Sequence, residues 1–451
     1  MTGPREREIQ LSLVPQRDKQ GRDVPARWAW TEPSVWTERM LAALDKGVKG
    51  GKWFSLIDKV CNPKNLQSAW MKVRRNAGSA GVDRQTVKKF ELHSERYLAE
   101  IREELCADKY VPKPALRRWI NKAGTQKMRP LGIPTVKDRV VQGAVRQVIE
   151  PIWEACFSER SYGFRPGRSC KDALRRVQGL LKLGHRWVVD ADIQGYFDAI
   201  PRDLLMKEVR EKVADSRVLQ LIEAFLSQSV MEDMEVRATD SGTPQGGVIS
   251  PLLANIYLHP VDEALATSGF EMVRYADDLV ILCKTEEEAQ QALELLTALM
   301  TERGLTLHPE KTRLVNEAAP NEGFDFLGYH FERGTKWPRK KSMAQIREKI
   351  RQRTPRRGGR SLQAVIASIN PILKGWYQYF KESNPMAFKD LDGWTRKRLR
   401  SILRIHAKIR GCAKNYGKDQ TRWPIAFFNQ LGLFNLRDAY DDMRQPRCGT
   451  H

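Results

Sequence analysis

Apolar and polar positions follow two rhythms along the chain. Residues 36–48 (WTERMLAALDKGV) place apolar side chains at helical spacing and stop near glycines 47, 50 and 51. Residues 53–75 and 85–110 carry the same period and predict helices, separated by the small-residue loop NAGSAGVD (76–83). From Val111 to Phe331, long apolar segments alternate between helix-like and strand-like runs, which predicts a mixed core of helices and strands. Val188, Val189 and Ile193 mark one strand, and VRYADDLVILC (273–283) reads as two strands joined by a turn. The Gly/Pro loop in SGTPQGGVISPLLANIYL (241–258) opens an apolar helix at about Ile249–Leu258 and allows close backbone approach to a ligand. After about residue 332 the pattern is helical with basic faces. Residues 1–35 are polar, carry Pro4, Pro15, Pro25 and Pro33, and read as a loose extension.

Charge changes the picture more than overall composition does. The 451 residues carry a formal net charge of +22, which points to a polyanionic partner, nucleic acid before an acidic membrane surface. About 23 Lys and Arg against about 5 Asp and Glu fall in residues 331–415, so most of the excess sits there. Almost one sign of charge, interleaved with Trp376, Tyr377, Tyr379, Phe380 and Trp394, favours a helical nucleic-acid-binding module over a merely solvated face. Its candidate contacts are Arg347, Lys349, Arg351, Arg353, Arg356, Arg357, Arg360, Arg396, Lys397 and Arg398. No apolar run is long enough to span a bilayer, and MTGPREREIQ has no secretory apolar region. The seven scattered cysteines form no CxxC, so neither a disulfide framework nor a zinc site is expected, and a cytoplasmic setting fits.

The candidate chemistry lies in two acidic elements. Asp277 and Asp278 stand side by side in an apolar run, where like charges repel and lose hydration. A hairpin tip relieves part of that cost, and a bound divalent cation would relieve the rest. In VVDADIQGYFDAI (188–200), Asp190 and Asp192 project to one face because strand side chains alternate. One of them, meeting the hairpin pair on a neighbouring strand, completes three carboxylates suited to two Mg²⁺ ions, with oxygen donors rather than His or Cys. Lys122 and Arg129 flank a Gly-containing turn; spacing alone makes them no more than surface cations.

The ordered set RPLGIPTVKDRVVQ, SYGFRPGRSCKDAL, ADIQGYFD, GTPQGGVISPLLANIYL, RYADD, LTLHPEKT and FDFLGY resembles the reverse transcriptase of bacterial group II introns, over about residues 70–415. The resemblance implies an α+β, right-hand polymerase fold: fingers and palm with an antiparallel sheet, then an α-helical thumb or maturase domain. The implied organisation is an N-terminal extension (1–52), a helical and template-loop region (53–110), fingers and palm (111–332), thumb (333–415) and a short DNA-binding tail (416–451). It assigns Asp192, Asp277 and Asp278 as catalytic metal ligands for two Mg²⁺, with Mn²⁺ as a substitute. It prefers Asp192 to Asp190 because Phe197 follows at the offset of an aromatic that excludes the ribose 2′-OH. Lys122, Arg129, Gln245 and Lys311 match nucleotide-pocket residues. FDFLGY matches the segment that grips the primer, and GWYQYF (375–380) a piece of the thumb.

The implied partners are group II intron RNA, an RNA template with a DNA primer, target DNA and dNTPs, and no membrane. The implied location is the bacterial cytoplasm, at the nucleoid during DNA work. The endonuclease domain that many relatives carry next is not expected, since Cys412 and Cys448 alone cannot build it. NAGSAGVD resembles the loop that lies over the template, with Arg84 where the family often has Gly. Two other readings share the same core: a maturase-only RNA-folding cofactor, and a reverse transcriptase recruited by the host for defence or DNA repair. Trp28, Trp30 and Trp36 are expected either to dock the extension on the fingers or to be plain core residues.

Overall fold

The computed structural model describes residues 26–121, 128–232, 235–237, 242–243, 246–356, 359–409 and 416–444. Lys122, Gln245 and Arg357 lie outside them. The strands in chain order are β1 (Ala115–Asn121), β2 (Met128–Ile133), β3 (Trp187–Asp192), β4 (Val230–Glu232), β5 (Glu235–Arg237), β6 (Glu271–Tyr275), β7 (Asp278–Cys283), β8 (Arg313–Asn316), β9 (Phe324–Phe326), β10 (Tyr329–Glu332) and β11 (Thr335–Pro338). They form three sheets, ordered β2-β1-β4-β5, β6-β7-β3-β8 and β11-β10-β9. All pairings are antiparallel except β1 with β4.

The second sheet is a wall between two apolar cores, and strand alternation builds it. Val189 and Ala191 on β3, Met272 on β6, and Leu279, Ile281 and Cys283 on β7 join one core. Helices Ser250–Thr267 and Glu286–Glu302 pack over that face. The intervening residues Val188, Val273, Val280 and Leu282 join the other core, shared with helix Cys170–Lys182, the β9–β11 sheet and the C-terminal helices. Asp190, Asp192 and Asp278 have the parity of this second face, at the end of the sheet where its apolar cover stops.

Several sequence expectations change in detail. Residues 26–36 are not loose: Trp28 and Trp36 are buried, and Trp36 donates its indole N–H to the Gln147 carbonyl at 3.0 Å. The predicted helix over 53–75 is two, Ile57–Val60 and Pro63–Asn76, because the Asn62 side chain caps Lys64 N and Pro63 starts a new helix. Residues 85–110 also divide, at His93, into Val87–Leu92 and Ser94–Cys106. The apolar helix opened by the Gly/Pro loop runs on through Pro260 to Thr267. The 332/333 boundary falls inside the β10–β11 hairpin, where Glu332 faces Thr335.

The thumb is built from helices Lys340–Arg353, Leu362–Phe380 and Pro385–His406. Residues 416–444 pack on these helices. Phe428, Leu436 and Tyr440 are buried in the same core. The Asp392 carboxylate accepts from Leu436 N and Arg437 N at 3.1 and 3.0 Å, capping helix Leu436–Arg444. Among the described residues no helix is long and apolar enough to cross a membrane.

Candidate active site

The palm sheet brings the acidic elements together through its register. Asp192 closes β3 directly opposite Asp278, the first residue of β7, and Tyr275 pairs with Asp278 across the hairpin. The turn is therefore Ala276–Asp277, with Asp278 already in the strand. Asp190 lies two residues back, opposite Val280. Its Oδ2 accepts from Arg313 Nη2 at 3.0 Å, so the two rival aspartates have different company. Burial raises the Asp190 carboxyl, and Arg313 pulls it back. Lost hydration, then the charges of Asp277, Asp192 and Asp190, push Asp278 up to about 6.

Asp192 is tied to the LTLHPEKT loop. Its carbonyl accepts from His308 N at 2.7 Å, and its Oδ1 accepts from Lys311 Nζ at 2.9 Å. Lys311 thus stands against a carboxylate of the trio. The oxygen-only donor set and the mutual repulsion at Asp278 fit a divalent cation. As placed, the carboxylates do not close around one point: among the described residues no three His, Cys, Asp or Glu side chains stand together as a metal-holding group.

The hairpin turn is held from behind by residues the sequence did not single out. Ala276 has φ +60°, a conformation that costs a non-glycine residue on the order of 1–2 kcal/mol. Buried Arg274 donates to the Ala276 carbonyl at 2.9 Å, to Asn255 Oδ1 at 3.0 Å and to Asp262 Oδ1 at 2.7 Å. Asn255 Nδ2 in turn donates to the Gly163 carbonyl at 2.8 Å. Gly163 lies so close that a Cβ would stand 2.3 Å from Ala276 N, so only glycine fits. The available signal was a lone arginine at an inward position of an apolar strand.

Two glycines of the Gly/Pro loop serve packing within the protein. A Cβ on Gly246 would stand 2.1 Å from the Gly132 carbonyl on β2, and one on Gly242 2.6 Å from the Phe197 carbonyl. Thr243 N donates to the same Phe197 carbonyl at 2.8 Å. Phe197, half-buried in the short helix Tyr196–Ala199, is thereby fixed by its backbone. Arg129 lies exposed on β2, opposite Ile120.

A cleft of about 850 Å³ opens from Asp278 to the thumb, with Arg339, Lys349, Arg353, Trp376 and Tyr379 in its wall. Trp376 Nε1 and Arg339 Nε are buried there with no protein partner among the described residues. FDFLGY makes the β9–β10 turn; Phe324, Phe326 and Tyr329 are buried, and Tyr379 donates its hydroxyl to the Leu327 carbonyl at 2.7 Å. The basic thumb residues divide. Lys349 and Arg353 face the cleft. Arg347, Arg351 and Arg398 stack about Trp394 at 5.7–5.8 Å. Arg398 also donates to Thr354 Oγ1 and O at 2.9 and 2.8 Å, which occupies it in helix packing. Arg356, Arg360 and Lys397 are exposed and Arg396 is half-buried.

The family model for reverse transcriptase (RNA-dependent DNA polymerase) matches residues 120–331, and that for the group II intron maturase-specific domain matches residues 343–418. Protein YkfC of Escherichia coli (strain K12) is 33 % identical over 347 residues, 68 % of this chain and 86 % of that protein. Group II intron-encoded protein LtrA of Lactococcus lactis subsp. cremoris is 42 % identical over 189 residues, 42 % of this chain and 31 % of LtrA. Among solved structures, a partial Cas6-RT-Cas1–Cas2 complex is 28 % identical with a TM-score of 0.35, over 55 % of this chain and 41 % of that one. The palm carboxylates, the two domain matches and the span shared with YkfC place the chain in the group II intron reverse transcriptase/maturase family, whose members join an RNA-directed DNA polymerase to a maturase domain.

Proposed function

We propose that this chain extends a DNA primer on an RNA template, with Asp192, Asp277 and Asp278 holding two Mg²⁺ ions, and that its thumb grips intron RNA as a maturase. The observation that carries this reading is the register: Asp192 faces Asp278 across neighbouring strands, with Asp277 in the adjoining turn, at the mouth of a large cleft. When bound, the ions would lower the proton affinity of the primer 3′-hydroxyl and neutralise the phosphates.

The remaining work falls to the protein. The primer 3′-oxygen attacks the α-phosphate in line and pyrophosphate leaves, so catalysis is mostly positioning and charge stabilisation. Lys122 and Arg129 carry the triphosphate charge, with Gln245 beside the nucleotide. Phe197, its backbone pinned by Gly242 and Thr243, crowds the sugar 2′ position and selects deoxynucleotides. Lys311 stands close enough to Asp192 to balance that carboxylate and to offer a proton near the departing pyrophosphate. Lys349 and Arg353 face the cleft and hold nucleic-acid phosphates. The exposed Arg356, Arg360 and Lys397 supply sequence-independent affinity for intron RNA.

The test is RNA-templated primer extension with Mg²⁺ and dNTPs, comparing the natural protein with Asp277→Asn. Full-length cDNA from the natural protein alone supports the reading. Absence of cDNA from both, with RNA binding retained, leaves a splicing cofactor and refutes the polymerase.

A further inference from the structure

Phe164 lies in the loop between helices Val136–Glu154 and Cys170–Lys182, and two features of it conflict with a purely structural role. Its backbone is left-handed at φ +59°, a region that bulky side chains seldom enter. The residue is 46 % exposed, so burial does little to offset the strain.

Both neighbours are locked. Gly163 is wedged against Ala276 and held by Asn255. Arg165 is buried: it binds both Glu154 oxygens, with Nε 2.9 Å from Oε2, and Nη1 donates to the Ser161 carbonyl at 2.7 Å. The framework thus forces an exposed aromatic into a strained conformation beside the catalytic hairpin. The ring packs on Tyr275, with centroids 6.4 Å apart and planes at 41°. Tyr275 pairs with Asp278 and immediately precedes the turn that carries Asp277. In the polymerase reading, the strand end nearest this hairpin is the one whose 3′-oxygen reacts.

We propose that Phe164 is a stacking platform for the 3′-terminal nucleotide of the primer, setting that end against the Asp277–Asp278 hairpin; the proposal rests on the polymerase reading. An aromatic face suits the task because every base offers a π-face, so contact is independent of sequence. The strain keeps the ring out of the core and available.

The test uses the full chain, an RNA template with a DNA primer carrying 2-aminopurine at its 3′ end, and the variants Phe164→Gly and Phe164→Tyr. Glycine removes the ring and relieves the left-handed strain, whereas tyrosine keeps the ring. Phe164→Gly is expected to bind the duplex about tenfold more weakly. It is also expected to lose the quenching of the terminal base while unfolding at or above the natural temperature. Phe164→Tyr should restore both binding and quenching. An affinity change below about twofold in Phe164→Gly overturns the proposal. So does unchanged quenching, or a lowered unfolding temperature that tyrosine does not rescue. If the natural protein makes cDNA and the variants give one of these results, this proposal alone falls. If the natural protein makes none, the polymerase reading falls and takes the proposal with it.

Discussion

The two faces of the palm sheet are made by the same four strands and do opposite things. One face, with Ala191, Leu279 and Ile281, is buried under two helices. Buried on it, Arg274 pairs with Asp262 and props the hairpin turn. The other face is equally apolar at Val188, Val280 and Leu282, then ends in Asp190, Asp192 and Asp278. The difference lies in where the covering stops. A charge under the cover must bring its partner with it, whereas charges beyond the cover are left competing for a cation.

The largest effect expected from breaking this contrast is at the open end. Asp277→Asn should lower the primer-extension rate on the order of 10³-fold or more while leaving the unfolding temperature unchanged or higher, because like-charge repulsion is relieved. Rate and thermal melting measured on one preparation check this. The sealed face should respond in the opposite sense. Arg274→Met leaves Asp262 buried and unpaired and is expected to cost about 3–5 kcal/mol in urea unfolding; replacing both partners by apolar residues should recover much of that loss.

Smaller changes sharpen the account at its edges. Phe197→Ala leaves the carboxylates alone and is expected to reduce discrimination against ribonucleotides by roughly tenfold or more in matched dNTP and rNTP incorporation. Arg84→Gly should raise stability by about 1 kcal/mol, since Arg84 has φ +57°, where glycine is free of strain. The left-handed turn explains why glycine suits that position.

The palm was legible because period-two alternation is a local signal. It located β3, β6 and β7 and put Asp190 and Asp192 on one face before any partner strand was known. Strand alternation alone does not choose between those two aspartates; the resemblance prefers Asp192 through the offset of Phe197, and the register sets Asp192 opposite Asp278. The Arg274, Asp262 and Asn255 network escaped because its members lie on a strand and a helix, and a single inward arginine names no partner. Trp28 and Trp36 stood out in the sequence as either docking or core residues, and they seal a core against helix Val136–Glu154. The docking of residues 416–444 rests on contacts such as Asp392 with Leu436, which no local pattern reveals. Lys311 was placed beside the triphosphate by resemblance, and the structure seats it on Asp192.

The central claim is that register, not mere acidity, selects the catalytic carboxylates. Single-turnover nucleotide incorporation by Asp192→Asn and Asp190→Asn tests it most directly. The account predicts a loss on the order of 10³-fold for Asp192→Asn and a change within about tenfold for Asp190→Asn, whose carboxylate is engaged by Arg313. The reverse order, or equal losses, would contradict it.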